Sequence, residues 1–397
     1  MNPEDQLRII QEDSVDFITP EDFLNKLREK GQLKVKLGVD PSRADLHLGH
    51  AVVLRKLKQF QELGHIVYLI IGDFTARIGD PSGRSKTRPL LSEDEVRENS
   101  KTYVEQAFRI LHPDKTVVKF NSEWLSKLSF ADIINLSSRY TVARMLERDD
   151  FSKRLKENQP ISISEFLYPL AQAYDSIVIE ADVELGGTDQ LFNLLVGRKL
   201  QEEFGQSPQV VLTMPLIEGT DGYLKMSKSY DNYIAFNDSP QDIFGKVMSI
   251  PDHLIIKYMK YLTDTPKDKI KDIENQMKSE EVNPRDIKMV LAEEIVNLLY
   301  NKEEAEKAKQ NFVSIFQKRE MPEDLPEIQI KSGETILDIV SKTNVYDSNS
   351  EIKRAIMQGA IRINDEKIKD FKDVVDCDDG AILRVGKKSF FKIKKMK

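Results

Sequence analysis

Over the first 235 positions, apolar runs alternate with amphipathic stretches. VKLGVD (Val35–Asp40) and VYLIIGDF (Val67–Phe74) read as buried strands. Between them, His47 to Leu63 places Leu48, Val52, Leu57 and Phe60 on one side at helical spacing, and Gly64 suits the stop. IVIEADVELG (Ile177–Gly186) and VVLTMPLI (Val210–Ile217) read as further strands, separated by a helix-like stretch from Gln190 to Phe204. Near-continuous apolar strands alternating with helices predict an α/β domain with a parallel sheet covered on both faces. Ligands of such sheets bind at the carboxyl ends of the strands.

The pattern then changes. Residues 236–325 read as helical and highly charged, as in Arg285–Phe312, and MPEDLPEI (Met321–Ile328), with its two prolines, reads as a linker. The last segment, 330–397, predicts a small α+β module: a helix starting at Asn349 or Ser350, then AIRINDEKI and AILRVGKKSFFKI alternating like strands around turn residues. No internal repeat or low-complexity run is present.

Composition narrows the class. A chain of 397 residues with 40% hydrophobic positions can bury a sizeable core. No apolar stretch approaches the ~20 residues a membrane helix needs, and MNPEDQLRII lacks the pattern of a secretory leader, so a cytoplasmic location is expected. One cysteine, Cys377, excludes an intrachain disulfide framework and offers no metal cluster. A net charge of −7 argues against a chain that coats nucleic acid over its whole surface. The segment from Arg384 to Lys397 nevertheless holds seven basic residues and no acidic one, together with Phe390 and Phe391. It reads either as a phosphate-backbone contact or as a solvated charged end.

Five clusters carry candidate chemistry. His47-Leu48-Gly49-His50 follows a strand and opens a helix, whose N-terminus favours anions, so paired imidazoles there can aim at phosphoryl oxygens. Gly49 lets a ligand approach the backbone. Lys225-Met226-Ser227-Lys228-Ser229 sets two lysines three apart on a loop, where cations can neutralise charge as pyrophosphate leaves. In YPLAQAYDS, spacings of four and three put Tyr168, Gln172 and Asp175 on one helical face. Gly186-Gly187-Thr188-Asp189-Gln190 lies between a strand and a helix, where Asp189 can bind ribose hydroxyls, though such a turn is equally a helix cap. Pro81-Ser82-Gly83-Arg84-Ser85-Lys86-Thr87-Arg88 is a basic loop that reads as a lid closing on pyrophosphate.

Together, His-x-Gly-His and the later Lys-Met-Ser-Lys-Ser form the signature of class I aminoacyl-tRNA synthetases. NSEWL, YTVARMLERDDF, PISISEFLYPLAQAYDS and GGTDQLFNLLVGR resemble bacterial tyrosyl-tRNA synthetases with an intact second motif, over nearly the whole chain from about Val35. The resemblance implies a Rossmann-type catalytic domain with a dimerisation insertion (1–235), a helical anticodon-binding domain (236–325) and a small RNA-binding domain like that of ribosomal protein S-four (330–397). It implies tyrosine, ATP with Mg²⁺, and tRNA(Tyr) as substrates, and a homodimer with one tRNA spanning both subunits. Asp40, Ser42, His47, Gly49, His50, Gly187, Asp189, Lys225, Met226, Ser227 and Lys228 then line the nucleotide site. Tyr168 and Gln172, helped by Asp80, hold the tyrosine ammonium; Asp175 accepts the phenol hydrogen bond; Gln190 reaches the amino-acid side of the adenylate. His47, His50, Lys225, Lys228, Arg84 and Arg88 carry the chemistry. Magnesium is expected on phosphates and water, with no dedicated protein cage.

There are departures. Lys36 stands where other members carry a tyrosine that touches the phenol, Val53 where some have a ribose-contacting threonine, and Leu48 where isoleucine is commoner. Rival readings are a tryptophanyl enzyme, a nucleotidyltransferase that makes a dinucleotide, and a non-catalytic RNA-binding regulator.

Overall fold

The computed structural model describes residues 1–42, 44–82, 92–314 and 325–395, apart from 332, 344, 347, 365, 369, 376, 387 and 388. Arg84 and Arg88, with the rest of the basic loop after Ser82, lie outside the described residues, as do 321–324 of the expected linker. The chain divides into two units, Met1–Lys309 and Gln310–Lys397.

Six strands form the sheet of the first unit: β1 (Asp16–Ile18), β2 (Lys34–Val39), β3 (Ile66–Ile71), β4 (Thr116–Phe120), β5 (Val183–Gly187) and β6 (Val210–Met214). Their order is β1-β6-β5-β2-β3-β4. β2 to β6 pair in parallel and β1 joins the β6 edge antiparallel. The interior strands are apolar because helices cover both faces: Val35, Val67, Leu185 and Leu212 are all buried. The chain winds outward from β2 through β3 to β4, then returns to β5 and continues to β6. That reversal between β2 and β5 is the switch point where doubly wound sheets open a crevice at their carboxyl ends.

The structure revises several expected elements. The Ile177–Gly186 strand begins as helix: Ile163–Ile179 is helical, Glu180 ends it in the left-handed region (φ 52°, ψ 56°), and β5 starts only at Val183. Ile177 packs with Leu170, Ala173, Val196 and Leu200, so a helix–helix interface overrides its β-branched preference. The Val210 strand stops at Met214 because Pro215 has no N–H to give a ladder. The stretch Arg285–Phe312, expected to be helical, is covered by two helices, Pro284–Leu299 and Lys302–Val313. The break comes at Tyr300, whose hydroxyl donates to the Asp238 carbonyl (2.7 Å), and at Asn301, whose side chain caps the second helix at Glu304 N (2.9 Å).

The helices Pro240–Ser249, Ile255–Leu262, Lys267–Lys278 and Pro284–Leu299 belong to the first unit, with Phe244, Tyr258, Leu291 and Ile295 buried among them. Among the described residues, no helix is long and apolar enough to cross a membrane.

The second unit contains β7 (Glu327–Ile330), β8 (Ile361–Ile363), β9 (Glu366–Lys367), β10 (Ile382–Val385) and β11 (Ser389–Lys395), in the order β7-β11-β10-β8-β9. Ile328 thus lies in a strand rather than in the expected linker. The helices Ile336–Ser341 and Asn349–Met357 share one core with this sheet, built from Ile330, Ile339, Ile352, Ile356, Leu383 and Ile393.

Candidate active site

The crevice at the switch point is a cavity of about 590 Å³, bordered by the ends of β2 and β5, the start of the helix Leu48–Glu62, the helix Ile163–Ile179 and the loop around Lys225–Tyr230.

His47 is the N-cap of its helix and His50 is residue N3. The His47 Nδ1 accepts from Gly49 N (3.2 Å), and the His50 Nδ1 accepts from His47 N (3.2 Å). This reciprocal box places the rings 4.1 Å apart. With both Nδ1 atoms used as acceptors, the neutral tautomer of each ring carries its proton on Nε2. Burial holds both rings below the usual histidine range, His50 at about 4, and the nearby Lys228 charge pushes the same way. The pair is therefore two neutral Nε2–H donors at neutral pH. A Cβ at Gly49 would lie 2.9 Å from the His47 ring, so the space the glycine leaves is occupied by that ring. The sequence had assigned this space to a ligand.

Lys225, Met226, Ser227 and Lys228 border the same cavity. Met226 is buried, and its N–H donates to the Ile217 carbonyl (2.8 Å). Ser227 N donates to Asn232 Oδ1 (2.8 Å), and the buried Asn232 ties back to Asp221 (2.8 Å). The Lys225 ammonium meets Asp189 (3.0 Å), and that of Lys228 lies 5.8 Å over the Tyr103 ring.

Tyr168, Gln172 and Asp175 line the cavity from one face of their helix, which Ser162 and Glu165 cap reciprocally. Asp175 is 3% exposed; its Oδ1 accepts from Trp124 Nε1 (2.8 Å) and its Oδ2 from Asn121 Nδ2 (3.3 Å). Burial raises its carboxyl to about 6, against the Lys36 charge and those two donors. It is an ionised acceptor above that pH, with lone pairs left for a hydroxyl donor.

The remaining expected residues among those described border the cavity too. Asp40 accepts from the hydroxyls of Tyr168 (2.9 Å) and Thr75 (2.8 Å). Asp80 accepts from Gln190 Nε2 (2.8 Å) and Ser82 N (2.9 Å). Ser42 and Gly187 complete the wall, and Val53 lies on it. Lys36 is absent from the wall; it is fully buried behind it.

Two family models match. One, described as tRNA synthetases class I (W and Y), covers residues 28–317; the other, the Tyrosine--tRNA ligase SYY-like C-terminal domain, covers 317–393. The tyrosine–tRNA ligase of Thermotoga maritima is 61% identical over 393 residues, 99% of this chain and 98% of that one. That of Aquifex aeolicus is 50% identical over 99% of each. The chain belongs to the tyrosine–tRNA ligase family of class I synthetases. The fold agrees with the structure of an Archaeoglobus fulgidus tyrosyl-tRNA synthetase complexed with L-tyrosine. The TM-score is 0.64 at 23% identity, over 77% of this chain and 99% of that one.

The sequence reading of the synthetase missed four residues at this site: Asn121 and Trp124, which hold Asp175, Tyr103 beside Lys228, and Asn232 inside the lysine loop. NSEWL contains the first two and pointed to the family without giving them a task. Its position after β4 became meaningful only once that strand was seen to end at the cavity.

Proposed function

We propose that this cavity makes tyrosyl-adenylate and hands the tyrosyl group to tRNA(Tyr). The tyrosine carboxylate attacks the α-phosphorus of ATP, and pyrophosphate leaves. The terminal adenosine hydroxyl of the tRNA then attacks the tyrosyl carbonyl, and AMP leaves. ATP arrives as its magnesium complex. That ion is ligated by phosphates and water.

The observation that carries this assignment is a buried carboxylate, Asp175, held as an acceptor by Trp124 and Asn121 at one end of a cavity lined elsewhere by paired imidazoles and two lysines. A phenol donates to a remaining lone pair of that carboxylate, whereas phenylalanine buries that lone pair with no donor. Tyr168, Gln172 and Asp80 take the substrate ammonium. The Nε2–H groups of His47 and His50 donate to phosphoryl oxygens. Lys225, Lys228, Arg84 and Arg88 stabilise the departing pyrophosphate. Lys225 first exchanges Asp189 for phosphate, which frees that carboxylate for ribose hydroxyls.

The wider assembly follows the same family logic. Phe130 (80% exposed) and Ile163 (79%) lie between β4 and β5 with the exposed Ile134 and Val142, which supports a homodimer through that region. The second unit, with Lys392, Lys394 and Lys395 on β11, is taken to grip the tRNA, and the helices of 236–325 to read its anticodon stem. A cytoplasmic location is part of this reading. Amino-acid-dependent ATP–pyrophosphate exchange tests the assignment: activity with tyrosine and none with tryptophan is expected, and the reverse overturns it.

A further inference from the structure

Behind the tyrosine subsite lies a polar network that the reaction does not use. Lys36 on β2 and Glu184 on β5 are register partners on adjacent parallel strands, and both are fully buried. The Lys36 Nζ meets Glu184 Oε1 (2.8 Å) and also donates to the Gln172 carbonyl (2.9 Å) and to Ser176 Oγ (2.7 Å). An ammonium has three N–H groups, and all three are used. Glu184 is equally engaged: Oε1 also accepts from Gln172 Nε2 (3.3 Å), while Oε2 accepts from Ser176 Oγ (3.1 Å) and from Gln209 Nε2. The helix Leu191–Glu203 has a glycine where this network passes, because a Cβ at Gly197 would lie 2.7 Å from Gln209 Nε2 and 3.2 Å from Glu184 Oε2.

The consequence falls on Gln172. Its amide has one donor end and one acceptor end, and its side chain stands between Glu184 and the cavity. A carboxylate accepts and never donates, so the Nε2 end must face Glu184 and the Oε1 end is left for the cavity. An ammonium needs that acceptor. The flipped amide would set oxygen against carboxylate on one side and N–H against ammonium on the other. Lys36 gives Glu184 a partner in a place where an unpaired carboxylate would be costly.

We propose that Lys36 and Glu184 are a positioning pair for tyrosine: they fix which end of the Gln172 amide meets the substrate ammonium, and neither touches the substrate. This deepens the proposed function, resting on its assignment of the ammonium to Gln172. The pair also holds Gln172 and Ser176, which lie on either side of Asp175 along the helix Ile163–Ile179.

Pyrophosphate exchange with Lys36→Met and Glu184→Gln together tests the pair. With the ammonium gone, the amide oxygen at position 184 goes to Gln209 and Ser176, its NH₂ turns to Gln172, and Gln172 flips to accept it. At about pH 8, where Asp175 stays a carboxylate without the Lys36 charge, the KM for tyrosine is then expected to rise about tenfold, with kcat and the KM for ATP within about twofold of wild type. Adding Gln172→Glu returns an acceptor to the cavity and should recover most of the loss. If the double variant does not fold, Lys36→Met with Glu184→Met leaves Gln172 with no partner that fixes its amide and is compared in the same way. An unchanged tyrosine KM in a folded double variant, a parallel rise for ATP and tyrosine, or no recovery on adding Gln172→Glu overturns the proposal. Absence of tyrosine-dependent exchange in the wild type would instead overturn the functional assignment itself.

Discussion

Asp175 works against its surroundings. Burial favours the neutral acid, and the Trp124 and Asn121 donors and the Lys36 charge favour the carboxylate, leaving it at about 6. Its carboxyl is raised above an exposed aspartate, so ionising it costs the fold stability as pH climbs through that range. Function runs the other way: kcat/KM for tyrosine should fall as pH drops below about 6, while the KM for ATP stays level. Because His50 titrates near 4, that limb belongs to Asp175. A profile flat from pH 7 to 5 would contradict this. Trp124→Phe removes one donor and keeps an aromatic ring; tyrosine KM should rise about tenfold, the scale of one hydrogen bond to a charged group, with ATP kinetics unchanged. At this scale the sequence was informative where one motif supplied several side chains, as with Tyr168, Gln172 and Asp175. It was silent where a partner came from elsewhere in the chain: Trp124 and Asn121 lie about fifty positions before Asp175.

Helix Leu48–Glu62 shows how an element prepares chemistry. Its two histidines spend their Nδ1 atoms on its own first turn and present Nε2 to the cavity. Gly49→Ala drives a methyl to 2.9 Å from the His47 ring. The cap should shift, and adenylate formation should fall by over tenfold with tyrosine affinity unchanged in equilibrium binding. Equal loss of both would mean general disruption. Lys228→Ala should behave similarly in rate, through the loop instead of the helix. The period of apolar residues located this helix and the buried strands β2, β3 and β6, because each has one consistent environment. It failed at Ile177–Ile179, where a β-branched run belongs to a helix buried against another helix. It also gave no warning of β1, which is three residues long, or of β4, whose residues are all half-buried.

The whole molecule comprises two compact units, Met1–Lys309 and Gln310–Lys397. Every described residue of the cavity lies in Met1–Lys309. Truncation near residue 325 should therefore leave tyrosine-dependent pyrophosphate exchange intact while tRNA charging drops. Equal loss of both would make the second unit part of the catalytic fold. The α/β class and the α+β module were readable from periodicity. The helical region between them was seen from its composition, yet it clusters with the sheet domain, since Phe244, Tyr258 and Leu291 are buried within that first unit. Relatives matching over both ends of the chain set aside the dinucleotide-forming reading.

On the proposed reading, tyrosine is selected by a buried carboxylate, Asp175, that accepts from its phenol. The direct measurement is the ratio of kcat/KM for tyrosine over phenylalanine in ATP–pyrophosphate exchange, for the wild type and for Asp175→Asn. A wild type that strongly favours tyrosine, and a folded variant that loses most of that preference through weaker use of tyrosine, is the expected result. A folded Asp175→Asn enzyme with the wild-type ratio would contradict it.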